Sequence, residues 1–352
     1  MYPGIVPPFL LDRLASTDDP RLARAAAAAR KTLAMPRPPR PTRTRLRLSI
    51  DGDALVAEAV PAPDRIISDT QNSENLPGRR VRSEDEEPVG DAAVDEAYDG
   101  LGATYDFFWD AFARDGIDAA GGSLLATVHF GDDYDNAFWN GERMVFGDGD
   151  GEVFVGFTRS LSVIAHELGH GVTEAAGGLE YQGQSGALNE SLSDVFGALA
   201  EQHRLGQSAN EASWLIGAGI FAPDVQGEAL RSMKAPGTAY DDDVLGTDPQ
   251  PGHMRDYVET DDDNGGVHIN SGIPNRAFHI AATTLGGLAW ERAGLIWYRT
   301  LTAGTLSPTA DFAAFAAATR ATAASEYGEE SEEVAAVRAA WVAVGVEEDA
   351  AA

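Results

Sequence analysis

Two histidines four residues apart, in His166-Glu167-Leu168-Gly169-His170, constrain this chain more than any other feature. Residues four apart lie on one face of an α-helix, so both imidazoles can reach a single cation. Glu167 lies between them on the same turn, where it can take a proton from metal-bound water. The pattern therefore predicts a helix that carries a metal site with a general base beside it.

The run 189–194, which reads Asn-Glu-Ser-Leu-Ser-Asp, follows the histidine pair. We expect Glu190 to be the third metal ligand, contributed by a second helix over residues 189–203. Asp194, one turn later, can accept a hydrogen bond from a ligand histidine, and Asn189 is a further candidate for that role. Two imidazoles, a carboxylate and a position open to water are the ligand set of catalytic zinc, although cobalt or manganese can substitute in vitro. The alternative is an exposed acidic helix face.

A glycine-rich segment, 263–272, holds a third candidate group. A turn there could bring His268 close to Asp263, and an aspartate beside a histidine raises its pKa and orients its ring. Such a pair could stabilise an oxyanion or supply a proton. The alternative is a turn in which Asp263 accepts hydrogen bonds from nearby backbone N–H groups.

The composition excludes several classes of protein. The 352 residues are 43% hydrophobic and carry a formal net charge of −30. We therefore expect no nucleic-acid or membrane partner, because so acidic a surface repels both. The chain has no cysteine, which excludes disulfides and cysteine catalysis. No apolar run reaches the roughly 18 residues of a membrane span.

The amino-terminal residues 1–48 differ from the rest of the chain, because they hold much of its basic charge. We expect this basic segment to dock on the acidic body, with a loose surface arm as the alternative. It does not resemble a secretory signal peptide, since no basic region precedes a long apolar run. Secretion by a non-standard route and a cytoplasmic location both stay open.

These segments resemble the thermolysin family of zinc metallopeptidases. The resemblance is carried by 166–170, 189–194 and 264–278, and it extends to 134–139 and 230–233. The short amino-terminal segment is more similar to the protealysin-like branch, whose pro-segment is brief. Pro7-Pro8-Phe9-Leu10 looks like the Pro-Pro-aromatic-Leu stretch of that branch.

The resemblance implies an α+β fold with two lobes. The amino-terminal lobe would hold a mixed or antiparallel sheet, the carboxy-terminal lobe would be helical, and the zinc helix would lie in the cleft. We predict a pro-segment and linker over 1–48, a β-rich catalytic lobe including the zinc helix over 49–176, and the helical lobe over 177–352.

The resemblance also assigns roles to individual residues. The zinc ligands would be His166, His170 and Glu190. The catalytic residues would be Glu167, which activates water, Tyr181 and His268, which face the developing oxyanion, and Asp263, which orients His268. The residues that contact the substrate backbone would be Asn136, Ala137 and Arg231. Phe154, Val163 and Leu230 would line a pocket for a bulky apolar residue after the scissile bond, although ordinary core packing explains these three equally well.

The sequence departs from the family at the calcium ligands. Of the acids that hold a pair of calcium ions in thermolysin, Glu201 is kept, while Ser162, Ser213 and Ala218 stand where the family has acids. We therefore predict that the double calcium site is absent.

The leading hypothesis for function is a monomeric zinc endopeptidase that cleaves before bulky apolar residues by Glu-assisted attack of zinc-bound water. We expect it to be made as a zymogen that removes its own pro-segment near Leu48 to Ile50. The first alternative is a catalytically weak zinc-dependent binding protein that uses the same cleft. The second is an acidic cation-binding or structural protein.

Overall fold

The computed structural model describes residues 4–35 and 62–348. The predicted processing point near Leu48 to Ile50 and the boundary at residue 48 lie outside these ranges, and the boundary at residue 176 stays a prediction. No helix within the described ranges has the length and apolar character needed to cross a membrane.

The amino-terminal segment folds into two helices packed on each other, α1 (Pro8–Ala15) and α2 (Ala23–Ala34). Pro8 is the first residue of α1, where a missing N–H costs nothing and the fixed φ angle suits a helix. Before the short 3₁₀ turn Pro20–Leu22, the side chain of Asp19 accepts a hydrogen bond from the N–H of Arg21. Proline and aspartate thus start the helical pieces of this segment.

A five-stranded mixed sheet forms the next layer, in the order β2-β1-β3-β5-β4. Its strands are β1 (Arg65–Asp69), β2 (Arg79–Ser83), β3 (Leu124–Val128), β4 (Ala137–Trp139) and β5 (Met144–Phe146). The pairs β1–β2 and β4–β5 are antiparallel, while β1–β3 and β3–β5 are parallel. Strand β4 therefore forms one edge of the sheet and is available to pair with a further extended segment.

Helices make up most of the rest. They are α3 (Ala92–Phe112), α4 (Leu161–Ala175), α5 (Gly183–Leu205), α6 (Asp263–Asn270), α7 (Gly272–Leu285), α8 (Leu295–Thr302), α9 (Phe312–Tyr327) and α10 (Glu332–Ala343). Between them lie a π-helical turn, Trp290–Gly294, and a 3₁₀ turn, Met254–Asp256. There are also two small two-stranded antiparallel sheets, β6 (Leu215–Ile216) with β7 (Arg231–Ser232) and β8 (Asp241–Asp242) with β9 (Gly246–Thr247). The α+β architecture agrees with the sequence-based prediction.

A pair of acids lies in the interior between the sheet and the amino-terminal segment. Asp135 and Asp150 are fully buried, and neither carboxyl oxygen of Asp135 accepts a hydrogen bond from a described residue. Burial, together with the charge of Asp150, raises the pKa of Asp135 to about 9. The backbone N–H of Asp135 donates to the hydroxyl of Thr32 in α2, at 3.1 Å. The pair therefore keeps a proton on Asp135 at neutral pH and lies directly under the docked segment.

Replacing Asp135 with asparagine should flatten the dependence of stability on pH. Folded Asp135 keeps its proton up to about pH 9, whereas the unfolded chain releases it near pH 4. Folding therefore becomes less favourable as pH rises through this window, by up to about 1.4 kcal/mol per pH unit, and asparagine removes that cost. Urea unfolding of the full chain at pH 5 and pH 8 measures the effect, in a Glu167→Gln background that prevents self-digestion.

The matched control for this substitution is Asp224→Asn, because Asp224 is exposed. Its variant should keep the pH dependence of the parent chain. An Asp135→Asn chain that loses stability between pH 5 and pH 8 as steeply as the parent would contradict the protonated assignment.

Candidate active site

The site is built where α4 and α5 cross at close range. Glycines make the approach possible: a Cβ at Gly169 would lie 2.9 Å from the Cα of Ser193, and one at Gly197 would lie 2.6 Å from the carbonyl oxygen of Ser162. Side chains there would push the helices apart. The crossing brings the inner face of α4 against Glu190 of α5.

Three buried side chains converge at this crossing. The Nε2 atoms of His166 and His170 are 3.1 Å apart, and each is 3.5 Å from a carboxylate oxygen of Glu190. Zinc with bonds of about 2.0–2.2 Å in tetrahedral geometry places its ligand atoms about 3.3–3.6 Å apart. Among the described residues, His166, His170 and Glu190 form the group whose ligand atoms lie close enough together to hold a metal ion.

The outer nitrogens of the histidines have partners that set the tautomer. His166 Nδ1 lies 2.7 Å from Asp194 Oδ1, and His170 Nδ1 lies 2.8 Å from Asn189 Oδ1. Because each Nδ1 donates its proton outward, each Nε2 directs a lone pair inward. Glu190 Oε2 is buried and accepts no hydrogen bond from a described residue. An unsatisfied buried carboxylate beside two inward lone pairs fits a divalent cation such as zinc.

Asp194 connects the metal ligands to the rest of the cleft. Besides His166, its carboxylate accepts hydrogen bonds from Nε and Nη2 of Arg231, at 2.9 and 2.8 Å, and from Nδ2 of Asn275, at 2.8 Å. Burial alone would raise the pKa of Asp194, but Arg231 and His166 outweigh burial and hold the pKa well below its usual range. The carboxylate is therefore charged and fixed in orientation.

Glu167 occupies the same helical turn as the ligands. It is fully buried, and neither of its carboxyl oxygens accepts a hydrogen bond from a described residue. Burial, assisted by the negative charge of Glu190, raises its pKa well above the ordinary value. Its carboxyl oxygens therefore keep unused hydrogen-bonding capacity, and the nearby backbone N–H groups of Trp139 and Ile5 only partly oppose the rise in its pKa.

A second group lies across the cleft and includes His268 and Tyr181. Helix α6 begins with a left-handed turn in which Asp263 and Gly266 have φ angles of +52° and +71°. The turn folds Asp263 back onto His268, where its carboxylate lies 2.6 Å from Nδ1 and accepts from the backbone N–H at 2.8 Å. The hydroxyl of Tyr181 is 3.3 Å from His268 Nε2 and donates to Glu190.

The charge on His268 follows from these neighbours. Burial disfavours the imidazolium, but the carboxylates of Asp263 and Glu190 outweigh burial and raise the pKa of His268 to about 9. Burial and the charge of Glu190 raise the pKa of Tyr181 well above 10. At neutral pH both groups therefore carry a proton they can donate.

Residues Gly4 to Val6 lie in the cleft, against the edge strand β4. Gly4 forms an antiparallel bridge with Phe138, and the N–H of Ile5 donates to the carbonyl of Ala137 at 3.0 Å. The side chain of Asn136 accepts from the N–H of Val6 at 2.9 Å and donates to its carbonyl at 3.2 Å. The amino terminus thus adds a strand to the sheet over the metal-ligand group.

The remaining contacts of this strand are with charged side chains. Nη1 of Arg231 donates to the carbonyl of Ile5 at 3.0 Å, and Nε2 of His268 lies 3.0 Å from the carbonyl oxygen of Gly4. The side chain of Ile5 is fully buried in the main hydrophobic core of the protein, to which Phe154, Val163 and Leu230 also belong. The hydrogen bonds of Gly4 to Val6 bring Asn136, Ala137, Arg231 and His268 to one cleft, whereas the pocket role of Phe154, Val163 and Leu230 stays a prediction.

The helices that follow this strand dock through basic side chains. Arg13 donates to the carbonyl oxygens of Val244 and Asp243, at 2.8 and 3.1 Å. Arg24 pairs with Asp133 at 2.6 Å, and Lys31 pairs with Asp132 at 3.3 Å. Exposed pairs of this kind contribute little each, so they orient the segment while Leu10, Leu11 and Leu14 supply its buried apolar surface.

Sequence reasoning missed two parts of the site. Asn275, which binds Asp194, stands alone in the sequence, because no spacing rule links it to a carboxylate on another helix. Gly4 and Ile5 carry no chemistry of their own and were not singled out. Their position beside the Pro-Pro-aromatic-Leu stretch was the available signal.

The fold and this constellation together define a class: an α+β hydrolase with a His₂Glu zinc site at the base of a peptide-binding cleft. Sequence profiles support this. The profile of the thermolysin metallopeptidase catalytic domain matches residues 64–174, and that of its alpha-helical domain matches residues 177–346. The chain belongs to the thermolysin family and is a zinc metalloendopeptidase.

Relatives agree with this assignment. The chain is 59% identical to an extracellular metalloprotease of Pectobacterium carotovorum subsp. carotovorum, over 72% of this chain and 74% of the relative. It is 46% identical to protease PrtS of Photorhabdus sp. (strain Az29), over 88% and 84%. The solved precursor of protealysin from Serratia proteamaculans superposes with a TM-score of 0.88 at 49% identity, covering 98% of this chain and 100% of that one.

Replacing Asp194 with asparagine should weaken zinc binding about 10- to 100-fold, because the partner that orients His166 loses its charge. Competition with a chromophoric chelator measures the dissociation constant, and circular dichroism verifies the fold. Asp256→Asn, at an exposed ion pair, is the control and should bind zinc like the parent. A folded Asp194→Asn protein with unchanged zinc affinity would show that Asp194 does not support the site.

Proposed function

We propose that this endopeptidase cleaves before bulky apolar residues, acts outside the cell as a monomer, and is made as a zymogen inhibited by its own amino-terminal segment. The observation that carries the proposal is the strand formed by Gly4 to Val6 over the metal-ligand group. An extended peptide already lies where a substrate would have to lie, so its contacts identify the substrate-binding groups.

The proposed chemistry uses two groups of residues, the zinc ligands with Glu167 on one side of the cleft and His268 with Tyr181 across from them. Zinc held by His166, His170 and Glu190 would serve as a Lewis acid for water and for the substrate carbonyl. Glu167 would take a proton from the attacking water through one of its carboxyl oxygens and pass it to the departing amide nitrogen. His268 and Tyr181 would donate hydrogen bonds to the carbonyl oxygen as it gains charge.

Other residues position the substrate or the catalytic groups. Asp263 holds the ring of His268 through Nδ1, and Asp194 does the same for His166. The carbonyl of Ala137 and the side chain of Asn136 would bind the substrate backbone as they bind Ile5 and Val6. The distances to the amino-terminal strand support the roles of Ala137 and Asn136, because both already bond main-chain atoms there.

The preference for a bulky apolar residue rests on the environment of Ile5. Its side chain is fully buried in the main hydrophobic core, and Phe154, Val163 and Leu230, which also belong to that core, are proposed to line its pocket. Burying a side chain of this size contributes about 1.5–3 kcal/mol. A substrate residue in the position of Ile5 would gain the same contribution, while a charged residue would be excluded.

The names of two relatives describe them as extracellular, and the protealysin structure is that of a precursor. These support action outside the cell and synthesis as a zymogen. Removal of the amino-terminal segment near Leu48 to Ile50 would clear the cleft.

The surroundings of Glu201 support the proposed absence of the double calcium site. Burial raises the pKa of Glu201, opposed only by the neighbouring hydroxyl of Ser162. That hydroxyl in turn accepts from the N–H of Gly217 at 3.1 Å and lies 3.0 Å from the hydroxyl of Ser160. A single acid among hydroxyl groups is a poor ligand set for two divalent cations, which are usually held by several carboxylates.

Calcium analysis should therefore find no tightly bound pair of ions. Inductively coupled plasma analysis of the protein after gel filtration in calcium-free buffer should return about one zinc per chain and less than one calcium. Two calcium ions retained per chain, or a calorimetric titration with two sub-micromolar sites, would refute the proposed absence.

Replacing Glu167 with glutamine should abolish peptide cleavage while zinc stays bound, because the amide keeps the shape of the side chain but cannot take a proton from water. Processed wild-type enzyme should hydrolyse a quenched peptide with leucine after the scissile bond, lose activity with a chelator and regain it with zinc. Turnover should fall by a factor of at least 10³ in the variant, and by about 10²–10³ in His268→Ala.

Two controls accompany this experiment. The same peptide with aspartate in place of leucine should be cleaved poorly, and zinc content should be equal in wild type and Glu167→Gln. Near-full activity of a zinc-loaded Glu167→Gln protein would overturn the proposed mechanism.

A further inference from the structure

The strand formed by Gly4 to Val6 has a direction as well as a place. It runs antiparallel to β4, so the chain leads from Gly4, opposite Phe138, toward Val6, which is bound by Asn136. The backbone bonds of Ile5 to Ala137 and of Val6 to Asn136 fix its register to a single residue. A one-residue slip would break all of these bonds together.

In this register the Gly4–Ile5 peptide bond lies between two catalytic groups, with its carbonyl near His268 and its nitrogen near Glu167. The carbonyl oxygen of Gly4 lies 3.0 Å from Nε2 of His268. The N–H of Ile5, at the other end of the same bond, donates to the carbonyl of Ala137 at 3.0 Å, and it is near enough to the Glu167 carboxyl to oppose the rise in the pKa of that group. The next carbonyl, that of Ile5, is held by Arg231 at 3.0 Å. The carbonyl therefore faces the oxyanion donor, and the nitrogen faces the group that would protonate it.

The side chains on each side of this bond also suit cleavage. Ile5, on the carboxy-terminal side, fills the apolar cluster that would receive a substrate residue. On the other side, a Cβ at Gly4 would lie 2.9 Å from Nδ2 of Asn136, the atom that binds Val6. Glycine lets the strand approach closely enough for both ends of the bond to reach their groups.

We infer that the Gly4–Ile5 peptide bond is a substrate of its own active site and is hydrolysed within the same chain. This inference rests on the proposed function. Water adds across the bond: its oxygen joins the carbonyl carbon of Gly4, which becomes a carboxylate, and the nitrogen of Ile5 leaves as an amine. The products are the peptide Met-Tyr-Pro-Gly and a chain that begins at Ile5.

This cut differs from the one that frees the enzyme. After it, α1 and α2 still dock through Arg13, Arg24 and Lys31, so the shortened segment stays on the body. The contact between Gly4 and His268 no longer tethers the segment. The rest of the segment is then held by fewer contacts.

Intact mass and amino-terminal sequencing of the zinc-loaded full chain test the inference. A species that begins at Ile5 should accumulate with first-order kinetics, at a rate unchanged by tenfold dilution, and Glu167→Gln should keep Met1. Glu167→Gln precursor mixed with processed wild-type enzyme should also keep Met1, because its bond is enclosed in its own cleft. An Ile5 terminus on that inactive chain would overturn cleavage within one chain.

Substitutions at Ile5 give the matched pair of variants. Ile5→Leu keeps an apolar side chain and should be cut at the same bond, whereas Ile5→Asp places a charge in the apolar cluster and should not be cut there. Cleavage of Ile5→Asp at this bond would overturn the register. As a readout independent of turnover, the amides of Ile5 and Val6 should be protected from hydrogen exchange in the Glu167→Gln full chain, and rapid exchange at both would also overturn it.

The outcomes separate this inference from the proposed function. If wild-type chain keeps Met1 while its processed form cleaves the external leucine peptide, the inference is wrong and the proposed function stands. If the processed form cleaves neither, the proposed function fails and the inference fails with it.

Discussion

The close crossing of α4 and α5 is the constraint on which the rest of the site depends. Each helix supplies only part of the ligand set, so the metal site exists only where the two backbones nearly touch. Gly169 and Gly197 lie at the contact, and a Cβ at either would collide with the partner helix. Because the crossing also buries the ligands completely, their polar atoms must be satisfied by one another, by orienting side chains or by a cation.

From this crossing a chain of charges leads outward to the cleft. Asp194 connects a ligand histidine to Arg231, and Arg231 reaches the carbonyl of Ile5. The arginine therefore has two roles: it compensates the buried carboxylate, and it binds a peptide backbone. A buried ion pair costs desolvation energy, and hydrogen bonds to both partners offset that cost here. The metal support and the substrate contact are in this way parts of one network, so a change to Arg231 would affect both.

The amino-terminal segment contacts the same groups that are proposed to bind a substrate, which is how it would inhibit the enzyme. It extends the edge strand β4, places an apolar side chain in the apolar cluster and presents a carbonyl to His268. Its helices add a basic surface that matches the acidic body, so the segment is held by more than its three residues in the cleft. The buried pair Asp135 and Asp150 lies beneath α2, where burial raises the pKa of both acids. The protonated pair therefore lies next to the surface on which the segment docks.

The sequence by itself determined the zinc helix and the three metal ligands, because helical spacing is a local rule, and the order of the family motifs along the chain implied the α+β class. The predicted helix over 189–203 was too short, because α5 starts at Gly183. Glycines such as Gly186 are poor helix formers, so the sequence did not indicate this first part of the helix. In the structure Gly186 packs against Val267. Only the tertiary structure decided that Asn275 joins Asp194, and that Gly4 and Ile5 lie over the catalytic groups. Those contacts join residues far apart in the chain, and their geometry depends on how helices and strands pack rather than on any local pattern.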